Sequence, residues 1–316
     1  MTATSPVGPR YLESLRTGAL ARSAAEARRH LSACDLCARR CGIDRMRGVA
    51  GAACRTGALA VVGSYGAHFG EETPLSGRRG SGTIFFAGCN MRCLYCQNWQ
   101  LSWKNDGREV SSAELAEIML RLQDDGCHNI NLVSPSHVVA QILEALVIAA
   151  GRGLRLPLVY NTGGYDSPEA LALLDGVIDI YMPDIKYGDS EAARKYSKVR
   201  DYVEANEAAV KEMHRQVGDL LLDDDGLAVR GLLVRHLVLP SDIAGSDRVL
   251  RFLADEISAH TYLNIMAQYR PQYRAGDKPE LDRRPTWREV ARVFELARRY
   301  GLHRLDDRAP ARVLDA

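Results

Sequence analysis

Cys89-Asn90-Met91-Arg92-Cys93-Leu94-Tyr95-Cys96 sets three cysteines at CxxxCxxC spacing directly after an apolar strand, Thr83-Ile84-Phe85-Phe86-Ala87. Three thiolates without a fourth leave a corner free on any metal they hold. A closed structural zinc site, or a ferredoxin cluster with four protein ligands, has no such corner. The chain must therefore fold so that one loop at a strand end presents all three sulfurs to a common point. The open metal can then bind and activate a small molecule.

The residues around this loop resemble the radical S-adenosylmethionine (SAM) superfamily. An aromatic, Tyr95, stands just before the last cysteine, and Gln97-Asn98-Trp99-Gln100-Leu101-Ser102 follows. This tail resembles the branch of pyruvate formate-lyase activating enzymes and the uncharacterised PflX-type group. The resemblance extends from about Cys34 to about Pro271. It implies a [4Fe-4S] cluster on Cys89, Cys93 and Cys96, with SAM chelated at the open iron. It also implies reductive cleavage to a 5′-deoxyadenosyl radical, which abstracts hydrogen from a substrate. No catalytic side chain is expected beyond the cluster and SAM. The reductant would be a one-electron donor such as flavodoxin or ferredoxin.

The rest of the chain alternates between apolar strands and helical periodicity. Strands are expected at 83–88, 128–133, 156–160, 177–182, 231–239 and 261–267. Helices are expected near 111–125, 137–151, 167–174, 190–216, 246–258 and 285–300, the first opened by Ser111 and Glu114 at capping-box spacing. Six βα units are too few to close an eight-unit barrel. The resemblance selects an α/β fold built as a partial (β/α)6 barrel, its site at the C-terminal ends of the strands. The expected organisation is a helical and four-cysteine metal module over 1–60, a connecting segment over 61–82, the barrel over 83–275, and a C-terminal helix and tail over 276–316.

Polar residues gather where the strand ends should lie, and loops at a barrel mouth are where function concentrates. Ser134-Pro135-Ser136 follows the second strand, in the place where many superfamily members carry Gly-Gly-Glu. Asn161 and Thr162 follow the third strand, and Asp184 and Lys186 end the fourth. Arg235 lies inside the apolar fifth strand, where a bare charge is costly without a partner. By resemblance, Tyr95, Asn98, Ser134, Ser136, Asn161, Thr162, Asp184, Lys186 and Arg235 bind SAM, with the Arg235 fork suited to its carboxylate. Read without the family, Asn161 to Tyr165 is a Gly-Gly turn, and Asp184 with Lys186 is an ion pair at the mouth. His236 is expected to face a hydrogen-bond partner, and Cys127 to be a buried thiol. Glu71 and Glu72 read as a solvated acidic turn before Pro74. Met266 to Pro271 replaces a histidine-containing stretch of the activating enzymes.

Cys34, Cys37, Cys41 and Cys54 form CxxCxxxCx12C, interleaved with arginines and glycines. Four thiolates suit either a zinc ion or an auxiliary iron-sulfur cluster, and their spacing leaves both open. Eight cysteines, seven at metal-type spacings, argue for a reducing compartment. A net charge of +1 gives no electrostatic reason for nucleic acid or an anionic membrane as partner. Met1 to Arg10 lacks an apolar signal core, and no apolar stretch is long enough to span a bilayer, so a cytoplasmic location is expected. The substrate reading is hydrogen abstraction from a protein glycine, as in glycyl radical enzyme activation. Its alternatives are modification of a small molecule or peptide, or a non-catalytic iron-sulfur or zinc carrier.

Overall fold

The computed structural model describes residues 8–306; the first residues and the end of the charged C-terminal tail lie outside them. Two helices lead, Arg10–Arg16 (α1) and Ala19–His30 (α2). Leu20, Ala24, Ala27 and Leu31 recur at helical spacing along α2, and all are buried in the same core as the barrel helices. Tyr11 anchors α1 by donating to the Leu156 carbonyl at 2.9 Å. Residues 8–60 therefore share one hydrophobic core with the rest of the chain.

Next come strand Ala60–His68 (β1), the turn of helix Thr73–Ser76 (α3), strand Ser81–Phe86 (β2), helix Trp99–Lys104 (α4), strand Arg108–Val110 (β3) and helix Ser112–Asp124 (α5). Ile130–Val133 (β4), Val139–Gly151 (α6), Leu158–Thr162 (β5), Pro168–Leu174 (α7) and Ile180–Pro183 (β6) follow. The tract expected as one helix over 190–216 is two, Ser190–Ser197 (α8) and Tyr202–Val217 (α9). Lys198 breaks it with φ +58°. The chain finishes with Leu221–Leu222 (β7), Ala228–Leu237 (β8), Ser246–Phe252 (α10), Tyr262–Met266 (β9) and Trp287–Arg299 (α11). The Ser111 and Glu114 capping box opens α5 as its sequence predicts, and Thr286 with Glu289 forms another at α11.

Six strands pair in parallel in the order β2-β4-β5-β6-β8-β9. With their crossover helices they make the partial, open (β/α)6 barrel. β1 pairs antiparallel with β2 and carries β3 on its outer side, so the sheet extends past the barrel. The sequence reading had placed only a connecting segment at 61–82. Its strand is hard to read because Gly63 and Gly66 interrupt the alternation and its second half is largely exposed. The segment after β1 fills the open side of the barrel. Leu75 joins Val159, Ile180, Met182, Leu233 and Tyr262 in the apolar floor of the interior. Glu72 accepts from Asn264 of β9 at 2.6 Å. Among the described residues, no helix is long and apolar enough to cross a membrane.

Gly231 lets β8 leave the β7 hairpin and pair with β6. Its φ is +125°, and a Cβ there would stand 2.4 Å from the Asp219 carbonyl oxygen and from the Leu220 Cα. Gly231→Ala is expected to destabilise the fold by about 2–4 kcal/mol, combining left-handed strain with a backbone clash. The denaturation midpoint would fall with an unchanged m-value; an unchanged midpoint would contradict the crowding.

Candidate active site

Parallel register brings the functional residues to one level. Val133 pairs with Asn161, Asp184 bridges to Arg235, and Arg235 pairs with Asn264. Because side chains alternate along a strand, the inward positions of neighbouring strands stack in layers. The lower layer is apolar, and the upper layer is polar and lines the mouth. A cavity of about 260 Å³ opens over it, bounded on one side by Cys89, Cys93 and Cys96. All nine residues read as SAM contacts line this cavity.

Arg235 is the hub of the layer. Its Nε donates to Asp184 Oδ1 at 2.8 Å and its Nη2 to Asn161 Oδ1 at 2.6 Å. Its Nη1 lies 3.7 Å from Glu71 Oε2. Lys186 Nζ donates to the other Asp184 oxygen. Burial by itself would raise the Asp184 carboxyl, but Arg235 and Lys186 outweigh it and hold the group below the usual carboxylate range. Asp184 and Lys186 thus do form the ion pair that the bare sequence allows, inside a larger network.

Glu71 and Glu72 correct the reading of a solvated turn: they are 8% and 2% exposed. Both act on the Arg235 charge, and Glu72 also holds Asn264. Local composition hid them, since an acidic pair before proline looks like surface. Asn264 carried the signal that exposed Arg235, a polar residue inside an apolar strand, and it was missed.

The loops are fixed from behind. Ser136 and Thr162 share a hydrogen bond of 2.9 Å, and Thr162 donates to buried Asp166 at 2.7 Å. Tyr202 and Asn206 of α9 both donate to the Asp184 carbonyl, and also reach the Gly163 and Gly164 carbonyls respectively. Gly164 accepts this approach because it has no side chain: φ is +73°, and a Cβ would meet Asn206 Nδ2 at 2.1 Å. Ser134 adopts φ +59°. Asn98 precedes α4 without a side-chain cap bond and is exposed. His236 satisfies both ring nitrogens, on the Ile185 carbonyl and the Ser246 hydroxyl. Cys127 is buried.

The cysteine loop rests on tyrosines. Tyr95 is 4% exposed, packs edge-on against Tyr187 and Tyr269, and donates to the Tyr187 hydroxyl at 2.7 Å. Tyr187 is bonded in turn to Ser197, whose hydroxyl donates to Cys93 Sγ at 3.0 Å. Ser102 donates to Cys96 Sγ at 3.1 Å, and the Met91 amide to Cys89 Sγ at 3.4 Å. Each sulfur therefore has one donor aimed at it. Burial pushes the free thiols up, Cys89 to about 12 and Cys93 to about 11. Loading a metal there must release protons.

The superfamily model described as Radical SAM matches residues 83–223, the stretch from the first barrel strand past the fourth. An uncharacterized protein of Methanocaldococcus jannaschii, MJ0674, is 30% identical over 288 residues, covering 87% of this chain and 77% of its own length. The chain belongs to the radical SAM superfamily. A second uncharacterized protein of that organism, MJ0808, is 27% identical over 204 residues, 62% of this chain and 55% of that protein. Among solved structures, Streptococcus suis SuiB bound to precursor peptide SuiA is 12% identical with a TM-score of 0.46, over 67% of this chain and 43% of that one. Methylornithine synthase (PylB) is 14% identical with a TM-score of 0.43, over 96% and 76%.

As a radical SAM enzyme the protein uses a [4Fe-4S] cluster and SAM, and its cysteine loop fits that pair. Three sulfurs, each with a hydrogen-bond donor, edge a cavity with charged groups of both signs on its far wall. A zwitterionic ligand requires such a wall.

Two results are expected. Ser197→Ala, which removes a donor from Cys93, should shift the cluster's midpoint potential to more negative values in a spectroelectrochemical titration. Arg235→Gln leaves Asp184, Glu71 and Glu72 buried without their guanidinium, and should cost about 3–5 kcal/mol at neutral pH. In wild type the Asp184 contribution is present above the ordinary carboxylate range and lost as pH falls through its lowered pKa. In the variant the buried carboxyls titrate high, so stability should be greatest in acid and fall as pH rises. Equal pH profiles for the two proteins would rule out the network.

Proposed function

We propose that this radical SAM enzyme abstracts hydrogen from the backbone of a polypeptide, with a glycine as in glycyl radical enzyme activation the leading target. When bound and reduced, the cluster and SAM supply the 5′-deoxyadenosyl radical. The chain's own residues bind and orient. Lys186 and the remaining edge of the Arg235 fork suit the SAM carboxylate, while Asp184 and Asn161 keep both cations in place. Ser134, Ser136 and Thr162 offer hydroxyls or backbone where Gly-Gly-Glu stands in other members. Tyr95 and Asn98 flank the cysteine side of the same cavity.

The observation that carries the polypeptide reading is the character of the cavity. About 260 Å³ lies below the roughly 300–1,000 Å³ of common small-ligand pockets, so SAM alone occupies the room. A substrate carbon must then be presented from outside. The exposed residues that line the cavity include Gln97, Asn98 and Gln268, three neutral amides. Each amide has a donor and an acceptor to match a peptide group. The reductant is a one-electron donor of the flavodoxin or ferredoxin class.

An isotope experiment tests this. Cells of the source organism are grown on α,α-dideuterated glycine, and the extract is divided by ultrafiltration into protein and small-molecule fractions. Each fraction is added to the reduced enzyme with unlabelled SAM. Deuterium is expected in 5′-deoxyadenosine with the protein fraction only. Deuterium from the small-molecule fraction alone would overturn the reading.

A further inference from the structure

The four cysteines of the N-terminal module line one small cavity with Asn90 and His137. Local backbone bonds shape it: the Cys34 amide donates to the Ile43 carbonyl and the Gly42 amide to the Cys34 carbonyl, each at 2.9 Å. Cys34, Cys37 and Cys54 are at most 7% exposed. Burial pushes the free Cys37 thiol up to about 12, so nothing in the protein alone keeps it ionised.

Arg45 says that something does carry negative charge there. It is 1% exposed, and its guanidinium donates to the Thr56 and Gly57 carbonyls at 2.8 and 3.1 Å and to Cys34 Sγ at 3.5 Å. None of these partners is a carboxylate. A buried cation held only by carbonyls and a neutral thiol is costly, whereas a thiolate bound to metal balances it.

Size separates the two metals that fit four thiolates. Zinc holds sulfur at about 2.3 Å, which leaves no room for a water-sized sphere among its ligands. Here the cavity keeps about 10 Å³, enough for the centre of such a sphere. Among the described residues, no three cysteines stand at the spacing of a single ion. Cys89, Cys93 and Cys96, which serve a four-iron cluster, share that wider spacing.

We propose that Cys34, Cys37, Cys41 and Cys54 hold a second [4Fe-4S] cluster, closed by four thiolates. It sits directly behind the first. A Cβ on Gly88 would stand 2.6 Å from the Cys54 carbonyl oxygen, Arg39 Nε donates to the Asn90 carbonyl at 2.7 Å, and Asn90 borders both cavities. With no open iron, the second cluster cannot bind SAM.

The test is metal and sulfide analysis of the full chain, purified and reconstituted without oxygen, with electron paramagnetic resonance of the reduced protein. Wild type should carry about eight irons and eight sulfides and no stoichiometric zinc, four of each per cluster. Cys37→Ser with Cys54→Ser should halve the iron and leave a reduced signal that SAM still perturbs. Cys93→Ser should leave a signal that SAM does not change. One zinc per chain beside about four irons would overturn the proposal, as would about four irons and no other metal. Should the double variant be insoluble, the wild-type composition decides by itself.

Discussion

The Arg235 guanidinium is the interaction on which the mouth of this barrel depends. It lies inside an apolar strand, where an uncompensated charge would not persist, and its compensation comes from three other parts of the chain. Asp184 ends β6, Asn161 ends β5, and Glu71 comes from the segment that fills the open side. One buried charge thus fixes the relative positions of two strand ends and the filling segment. Lys186 is drawn in through Asp184, and Asn264 through Glu72.

The cysteine loop is held by a different kind of force. Its support is aromatic and hydroxylic: Tyr95, Tyr187 and Ser197 form a chain of hydrogen bonds that ends on Cys93. The side of the cavity that takes the cluster is therefore soft and polarisable, and the side that takes a zwitterion is ionic. Between them lies about 260 Å³. The division gives each cofactor the wall its chemistry needs, and leaves the substrate to be met by neutral amides.

The N-terminal module is part of this arrangement and not an attachment to it. Leu31 and Leu36 are buried in the same core as the barrel helices, and the Cys54 carbonyl crowds Gly88, the residue before Cys89. His137 closes the contact from the barrel side by bonding to the Ala87 carbonyl at 2.9 Å. Burial, with Arg45 adding to it, pushes the imidazole down to about 4, so it is neutral and donates Nε2–H to that carbonyl. Two cysteine motifs some thirty-five residues apart in sequence are back to back in space.

What the sequence determined by itself is what local pattern encodes. CxxxCxxC after an apolar strand declares an open metal site, and six apolar runs alternating with helical periodicity declare a partial barrel. Arg235 declares a need for a partner, because charge inside an apolar strand has no other explanation. Tertiary structure decided the partners. Glu71 and Glu72 look like surface in sequence and are buried only because the chain turns into the open side of the barrel. The strand Ala60–His68 forms where β2 offers a free edge, despite glycines that blur its alternation. Tyr202, Asn206 and Ser197 lie in a helical tract with no motif, and reach the site because α8 and α9 fold back over the fourth strand's end. Residues that act through their own neighbours in sequence can be read there. Residues that act by burying or completing a distant group can be seen only when the distance has closed.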